Sequence, residues 1–347
     1  MSRLRRANPS LPGFIRRRAG KGFVYYDEAG RRIADIEVLE RIKALVIPPA
    51  WTEVWICPWP TGHLQAVGFD ARGRRQYRYH DRWRARRDAE KFDRMAAFAR
   101  ALPGMRQRGC ELLAGEGLTR ERVLACTIRL LDLGFFRIGG EEYAEQNGSY
   151  GLATLCKEHV TLGPNNAVTF DYPAKSGKRR VQTIVDAAVF DVVSALKRRR
   201  SGGPELFAYR NGTQWCDVRS SDINDFVKEL SGGEFTAKDF RTWAGTVLAA
   251  VALAVAEQAR SSTARQRAIS RAYQEVAHYL GNTPAVCRKS YVDPRVVDRY
   301  QAGVTIAEAL SRIDDAAGTA ASAIHGPIEE AVLALLDDAP EPVVEAA

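Results

Sequence analysis

The stretch Gly73-Arg74-Arg75-Gln76-Tyr77-Arg78-Tyr79-His80-Asp81-Arg82-Trp83-Arg84-Ala85 is where the chain changes its period. Up to Tyr79 the side chains alternate, which puts Gln76 and Arg78 on one face of a strand and Tyr77 and Tyr79 on the other. Beyond His80 the spacing is helical, and Trp83 to Ala101 is dense in Arg and Ala. A two-residue period giving way to a 3.6-residue period predicts an α+β chain: a small β-rich domain over 1–82, then a mainly α-helical remainder.

Upstream, Phe23-Val24-Tyr25-Tyr26 reads as a strand before a turn at Glu28-Ala29-Gly30, and Asp35 to Val46 as a short helix stopped by Pro48-Pro49. Trp51–Cys57, His63–Phe69 and Gln76–Tyr79 read as further strands, the last two joined through Asp70-Ala71-Arg72-Gly73. Tyr25, Tyr26, Trp51, Trp55 and Trp59 are assigned to its core. One face of the Gln76–Tyr79 strand is free to meet a partner.

Downstream, Thr119 caps a helix with Leu124, Ile128, Leu131 and Phe135 on one face; Gly134 marks its end and Arg137 falls just beyond. Leu152–Val160, Ala167–Tyr172 and Arg179–Ile184 are predicted to form a three-stranded antiparallel sheet, with Lys175-Ser176-Gly177 as a hairpin tip. Helices follow at about 186–199, 219–230, 239–258 and 265–280. In the third, Phe240, Trp243, Val247 and Ala254 form the core face and leave Arg241 off it, at the first turn. Gly281 ends the fourth, and a short helix from Pro284 carries Tyr291. The spacing thus gives a mainly α domain over 83–304 and an acidic helical tail over 305–347. Gly139-Gly140 and Gly202-Gly203 read as turn glycines.

The 347 residues are 46% hydrophobic and 27% charged, with no apolar run of membrane-spanning length. The net charge of +9 divides unevenly. Residues 1–100 carry +11, residues 101–300 carry +6 and residues 301–347 carry −8. A basic body of this size selects a polyanion, because every neutralised phosphate releases counterions. Nucleic acid ranks first. A membrane surface ranks well behind, since the basic residues are not gathered on one amphipathic helix. Taken alone, runs such as Arg16-Arg17-Arg18 and Arg198-Arg199-Arg200 read as solvated surface. The cysteines at 57, 110, 126, 156, 216 and 287 stand singly, without metal spacing, and read as reduced, buried thiols. The N-terminus is basic without an apolar stretch behind it, so a cytoplasmic location is expected.

The chain has no Walker A, His-Glu-x-x-His or Gly-x-Ser-x-Gly motif. Chemistry on a phosphodiester therefore falls to cationic side chains that stabilise developing oxyanion charge, with no metal or nucleotide cofactor expected. Candidates at loop and element-end positions are Arg137, Lys175, Arg241, Asn282 and Tyr291. Two guanidiniums can grip non-bridging oxygens bidentately. A phenol, with an ordinary pKa of about 10, needs such cations before it is a useful nucleophile. A lysine can protonate a leaving oxygen, and an asparagine can donate one neutral hydrogen bond. Singly, each has a plainer role: a packing tyrosine, structural ion pairs, a surface lysine, a helix cap after Gly281.

Together with their surroundings these residues resemble a known family over nearly the whole chain. Gly73 to Tyr79, Phe136-Arg137-Ile138-Gly139, Ala174-Lys175-Ser176-Gly177-Lys178, Lys238-Asp239-Phe240-Arg241-Thr242, Leu280-Gly281-Asn282-Thr283-Pro284 and Lys289-Ser290-Tyr291 are similar, in order and spacing, to the bacterial type IB DNA topoisomerases of the poxvirus-type branch. The resemblance implies a two-domain clamp on double-stranded DNA and an ATP- and metal-independent, monomeric enzyme acting on the nucleoid. It implies that Tyr291 attacks a phosphate to give a 3′-phosphotyrosyl link and a free 5′-hydroxyl. Arg137 and Arg241 would hold that phosphate, and Lys175 would be the general acid. Asn282 stands where many members have His, which keeps a hydrogen-bonding role open. Gln76, Tyr77, Tyr79 and Tyr143, the last in the loop after Arg137, would contact DNA. Two alternatives remain: a tyrosine recombinase, disfavoured by Lys238 in place of the usual His and by the β-rich N-terminal domain, and a non-enzymatic architectural DNA binder.

Overall fold

The computed structural model describes residues 3–256, 261–314 and 325–337. It is an α+β chain, and it divides into two compact units, residues 1–93 and 94–347.

The first unit is built on five antiparallel strands: β1 (Phe14–Ala19), β2 (Gly22–Tyr26), β3 (Thr52–Ile56), β4 (Leu64–Phe69) and β5 (Arg75–Tyr79), in the spatial order β2-β1-β3-β4-β5. Helix α1 (Ile36–Ala44), capped by Asp35, contributes Ile42 to a core with Val54, Ile56 and Ala66, against which Tyr25 and Trp51 pack. Trp55 and Trp59 cover a second cluster of Ala7, Cys57, Leu64 and Val67.

Strand β1 was not expected. Its three arginines disguise the alternation; Arg17 and Arg18 are exposed, as a solvated run would be, but the structure corrects that reading for Arg16. Arg16 is 8% exposed; it donates to Pro48 O (3.0 Å) and Trp51 O (2.7 Å) and stacks on Phe23. Buried carbonyls with no ladder partner need such a donor.

Helix α2 (Asp81–Leu113) begins where the period changes, and the boundary between the units lies inside it. The second unit continues with α3 (Arg120–Gly134), α4 (Glu141–Asn147), a three-stranded antiparallel sheet of β6 (Val160–Leu162), β7 (Ala167–Pro173) and β8 (Arg179–Val185), and α5 (Ala187–Arg198). A hairpin of β9 (Ala208–Asn211) and β10 (Gln214–Asp217) precedes α6 (Ser220–Ser231), α7 (Ala237–Val255), α8 (Ser262–Leu280), α9 (Pro284–Ser290), α10 (Pro294–Gln301), α11 (Ala307–Asp314) and α12 (Pro327–Asp337). Helix α3 is buried nearly all round, from Val123 to Leu131, and packs against α5, α6 and α7. This central helix fixes the loop that follows it.

Several expectations are corrected. Leu152 to His159 is not strand: its two 3-10 turns, Leu152–Thr154 and Lys157–His159, precede a strand that starts at Val160. The 208–217 hairpin and α4 went unforeseen, both too short to show a period. Of the thiols, Cys57, Cys126 and Cys287 are buried, whereas Cys110 is exposed and Cys156 and Cys216 are half-exposed. Arg199 is 9% exposed, held by Gly202 O and Glu205 O over the Trp215 ring. In the acidic tail, α12 buries Ile328, Val332 and Leu336, and Glu329 binds Arg106 and the indole N–H of Trp243. Residues 315–324 and 338–347 of that tail lie outside the described residues.

Candidate active site

Helix α3 ends in an unusual way. Gly134 is its last helical residue, but the left-handed position belongs to Phe135 (φ 52°). The glycine is needed for a different reason: a Cβ there would lie 2.3 Å from the Phe136 ring and 2.4 Å from the Gln182 amide. The chain then turns outward through Arg137. Its carbonyl accepts from Leu152 N–H (2.8 Å), and Ile138 O accepts from Ala153 N–H (2.7 Å). Gly139 (φ 86°) and Gly151 lie backbone to backbone, so close that a Cβ on Gly151 would fall 2.4 Å from Gly139 N. These are packing glycines, not ordinary turn residues, and they anchor the Arg137 backbone.

Helix α7 starts at Thr236, whose N–H (2.8 Å) and hydroxyl (3.1 Å) donate to Asp239. This corrects the expectation for Arg241, which is not off the core face but only 3% exposed. Its guanidinium donates to Phe135 O and to Leu280 O (2.8 Å) and sits 5.3 Å from the centre of the Tyr291 ring. Burial, with Arg137 and Arg180 nearby, lowers its pKa to about 10, against the opposing pull of the Tyr291 phenol. It remains a cation at neutral pH.

The C-terminus of α8 gathers the rest. Gly281 takes the left-handed position (φ 60°), Gly281 N–H donates to His278 O (3.2 Å) and Asn282 N–H to Ala277 O (2.9 Å). This is a Schellman turn, which frees the Asn282 side chain to point away from the helix end. Arg137 donates through Nη2 to Gly281 O (2.8 Å) and to Asn282 Oδ1. The negative end of the helix dipole thus meets arginines from two other elements.

Two donors are left over. Arg241 Nε and Asn282 Nδ2 are buried and without a hydrogen-bond partner among the described residues; Asn282 has the buried Cys287 thiol, a weak acceptor, as its neighbour. Ser194, Arg199 and Tyr300 carry other such orphans, away from Arg137 and Tyr291 in sequence or, for Tyr300, beyond α9. Leaving buried donors unpaired is costly, about 1–3 kcal/mol each, and an anionic ligand would satisfy both.

Tyr291 follows the last turn of α9, its N–H donating to Cys287 O (2.9 Å). Its carbonyl accepts from Thr246 Oγ1 (3.3 Å), whose oxygen in turn accepts from Asp293 N–H (3.1 Å). Gly245 allows this approach, since a Cβ there would fall 2.8 Å from Tyr291 O and 3.1 Å from Tyr291 Cβ. Lys175 is exposed at the β7–β8 tip, and with Arg137, Arg180, Tyr279 and Gly281 it lines one cleft of about 470 Å³.

In the first unit, Tyr77 (45% exposed) and Tyr79 (38%) project from one face of β5 with their rings 6.1 Å apart. Arg75 lies over Tyr77, and Arg6 and His63 complete a shallow groove there. Gln76 is on the other face, donating to Asp70 (2.9 Å), a carboxyl held at about 2 chiefly by its hydrogen bond from Arg74. Tyr143 is exposed, but on helix α4 rather than in a loop.

The structure therefore brings Arg137, Arg241, Asn282 and Tyr291 together and places Lys175 on the cleft that Arg137 lines. Sequence reasoning missed Arg180, Gln182, Gly245 and Thr246. The inward alternation of Arg180, Gln182 and Ile184 along β8 was an available signal for the first two. Among the described residues no group of three or more His, Cys, Asp or Glu side chains is placed to hold a metal ion, and no helix is long and apolar enough to cross a membrane.

A family profile described as the catalytic core of eukaryotic DNA topoisomerase I matches residues 80–321, and one for the N-terminal domain of bacterial DNA topoisomerase IB matches residues 22–70. DNA topoisomerase 1B of Acanthamoeba polyphaga mimivirus is 32% identical over 299 residues, covering 84% of this chain and 88% of the viral protein. DNA topoisomerase 1B of Vaccinia virus is 23% identical over 272 residues, 76% of this chain and 81% of its own. The Candida albicans DNA topoisomerase 1 is similar over a shorter span, 29% identical over 158 residues, 45% of this chain and 19% of the yeast protein. Each profile falls on one of the two regions that the change of period at His80 separates, and the mimivirus match runs through both: the chain belongs to the type IB DNA topoisomerase family.

Proposed function

We propose that this enzyme relaxes supercoiled duplex DNA by cutting one strand, letting it swivel and resealing it, with Tyr291 as the nucleophile. The Tyr291 Oη–P bond forms as the P–O5′ bond breaks; the phenol proton leaves to solvent, and Lys175 supplies the proton that the 5′ oxygen takes up. Religation is the same exchange in reverse. One phosphodiester is traded for another, so neither ATP nor a metal is required in this scheme.

The observation that carries the reading is the convergence at the α8 Schellman turn. The backbone carbonyls occupy only part of each guanidinium: Arg137 uses Nη2 for both its bonds, and Arg241 keeps Nε unpaired. The carbonyls orient the two forks while the remaining donors, with Asn282 Nδ2, stay available to non-bridging phosphate oxygens. Such preorganised donors are the main source of stabilisation for developing oxyanion charge. Tyr77 and Tyr79 on β5, Gln76 behind them and Tyr143 on α4 are assigned to the duplex, which the basic charge of the first 300 residues attracts. The enzyme is taken to act as a monomer on nucleoid DNA.

Relaxation of a negatively supercoiled plasmid without ATP and in excess EDTA tests this. Wild-type protein should relax it through a ladder of topoisomers. Tyr291→Phe should bind the plasmid with unchanged affinity and leave its linking number untouched; relaxation by that variant would sink the proposal.

A further inference from the structure

Strand β8 carries a hydrogen-bonded chain that none of the roles above uses. Arg180, Gln182 and Ile184 alternate inward along it. Gln182 Nε2 donates to Gly134 O (2.5 Å) at the end of α3; Gln182 Oε1 accepts from Arg180 Nε (3.1 Å); and Arg180 Nη2 donates to Tyr279 O (3.0 Å) at the end of α8. Two side chains of one strand thus tie together the C-termini of the helices that flank the site. The first tie lies three residues before Arg137, the second three residues before Asn282.

The pattern at the α8 end is regular. Three successive carbonyls, those of Tyr279, Leu280 and Gly281, are taken by Arg180, Arg241 and Arg137, each from a different element. Gly281 is set by its φ of 60°, and a Cβ there would lie 2.9 Å from Arg180 Nη1 and push that guanidinium aside. Arg180 is half-buried, and burial, with Arg137 nearby, lowers its pKa, so this cation is kept in a costly place. Unlike Arg241, it has no orphaned buried nitrogen among the described residues, and its bonds to Gln182 and Tyr279 are to protein groups.

We propose that Arg180 is a positioning residue. It holds the α8 terminal turn against β8, so that Asn282 and the Arg137 fork bonded to it meet the phosphate in register. This rests on the phosphotransfer reading above. Gln182 is the same device one link earlier. A Lys at 180 can reach one carbonyl but cannot bridge Tyr279 and Gln182 together, because its ammonium lacks the planar fork.

The test uses the full chain and a duplex nicked so that cleavage is irreversible. At saturating enzyme, Arg180→Ala should cleave about 10–100-fold more slowly than wild type, with duplex affinity changed less than about twofold, since a small misplacement of reacting groups is enough for such a loss. Arg180→Lys should recover only part of it. In the Asn282→Ala background, Arg180→Ala should cost less than about threefold, because Asn282 is gone and the Arg137 fork, already freed from its bond to the Asn282 side chain, keeps only Gly281 O. Gln182→Ala should show the same loss and the same non-multiplicative pattern, which guards against a folding defect peculiar to one variant. Penalties that multiply, or a loss explained by duplex affinity, would overturn the assignment. Without DNA, amide hydrogen exchange at Gly281 and Asn282 should quicken in Arg180→Ala. Unchanged exchange refutes the positioning role. Quickened exchange in a protein that cleaves nothing refutes the phosphotransfer reading and leaves the positioning of the turn standing.

Discussion

Gly245 lies mid-helix on α7, where alanine would ordinarily be the better residue by about 1 kcal/mol. Here the structure opposes that gain. An added Cβ would stand 2.8 Å from Tyr291 O, 3.1 Å from Tyr291 Cβ and 3.2 Å from Leu280 Cδ1, roughly 0.6 Å inside the closest ordinary contact with the carbonyl. The nearest atom is backbone, so no side-chain rotation relieves it. Overpacking of this kind costs about 1–3 kcal/mol, which sets the net change for Gly245→Ala between neutral and about 2 kcal/mol destabilising. The effect on chemistry should be larger than the effect on stability. The residue displaced is the nucleophile itself, and the hydroxyl of Thr246, 3.3 Å from the same carbonyl, moves with it. A shift of about half an ångström predicts single-turnover cleavage about 10–100-fold slower, with duplex affinity unchanged. The assay is cleavage of a nicked duplex at saturating protein, beside a thermal melt. A cleavage rate within twofold of wild type would refute the claim that α7 sets the position of Tyr291.

Lys175→Ala should slow cleavage strongly on a duplex with an ordinary 5′ oxygen and far less on one with a 5′-bridging sulfur, which leaves without a proton; equal slowing on both removes the general-acid role. Asn282→Ala should lose about 10²–10³ in cleavage rate as an oxyanion donor, and a near-unchanged rate would leave only its backbone role in the Schellman turn. His325 is held below the ordinary histidine value, first by burial and then by Arg106 and Arg129, with Asp132 and Glu329 pulling the other way. Because the folded state takes up this proton less readily than the unfolded chain, its stabilising effect is complete above about pH 6.5 and is lost as pH falls below that value. The melting temperature should therefore drop between pH 7.5 and 5.5, and His325→Asn should flatten the drop; parallel curves for the two proteins would contradict it.

Much of this fold is written in local pattern. Thr119 and Gly281 cap the helices they were expected to cap, because capping uses groups only a few residues apart. The Lys175 turn falls at a hairpin tip for the same reason. What the chain hides is decided by distant partners. Arg241 looks like a surface residue in a helical wheel, yet carbonyls from Phe135 and Leu280, far off in sequence, make it a buried cation. Arg16 and Arg199 hide strand and loop anchors inside charge runs in the same manner. Periodicity identifies which face is apolar; it carries no information about which polar residue another segment's unpaired carbonyls will claim. The roles of Gly134, Gly151 and Gly245 are likewise tertiary, since each is small because something else passes close by.

The central claim is that Tyr291, lodged between Gly245 and the Arg241 fork, makes a covalent bond to the 3′ side of a broken strand. Trapping wild-type protein on a duplex labelled at either end of the cut strand, followed by proteolysis and mass analysis of the adduct, tests it most directly. The account predicts one adducted peptide, containing Tyr291 esterified to a 3′ phosphate, with a free 5′-hydroxyl on the other fragment. An adduct to the 5′ end, or one that survives in Tyr291→Phe, would contradict it.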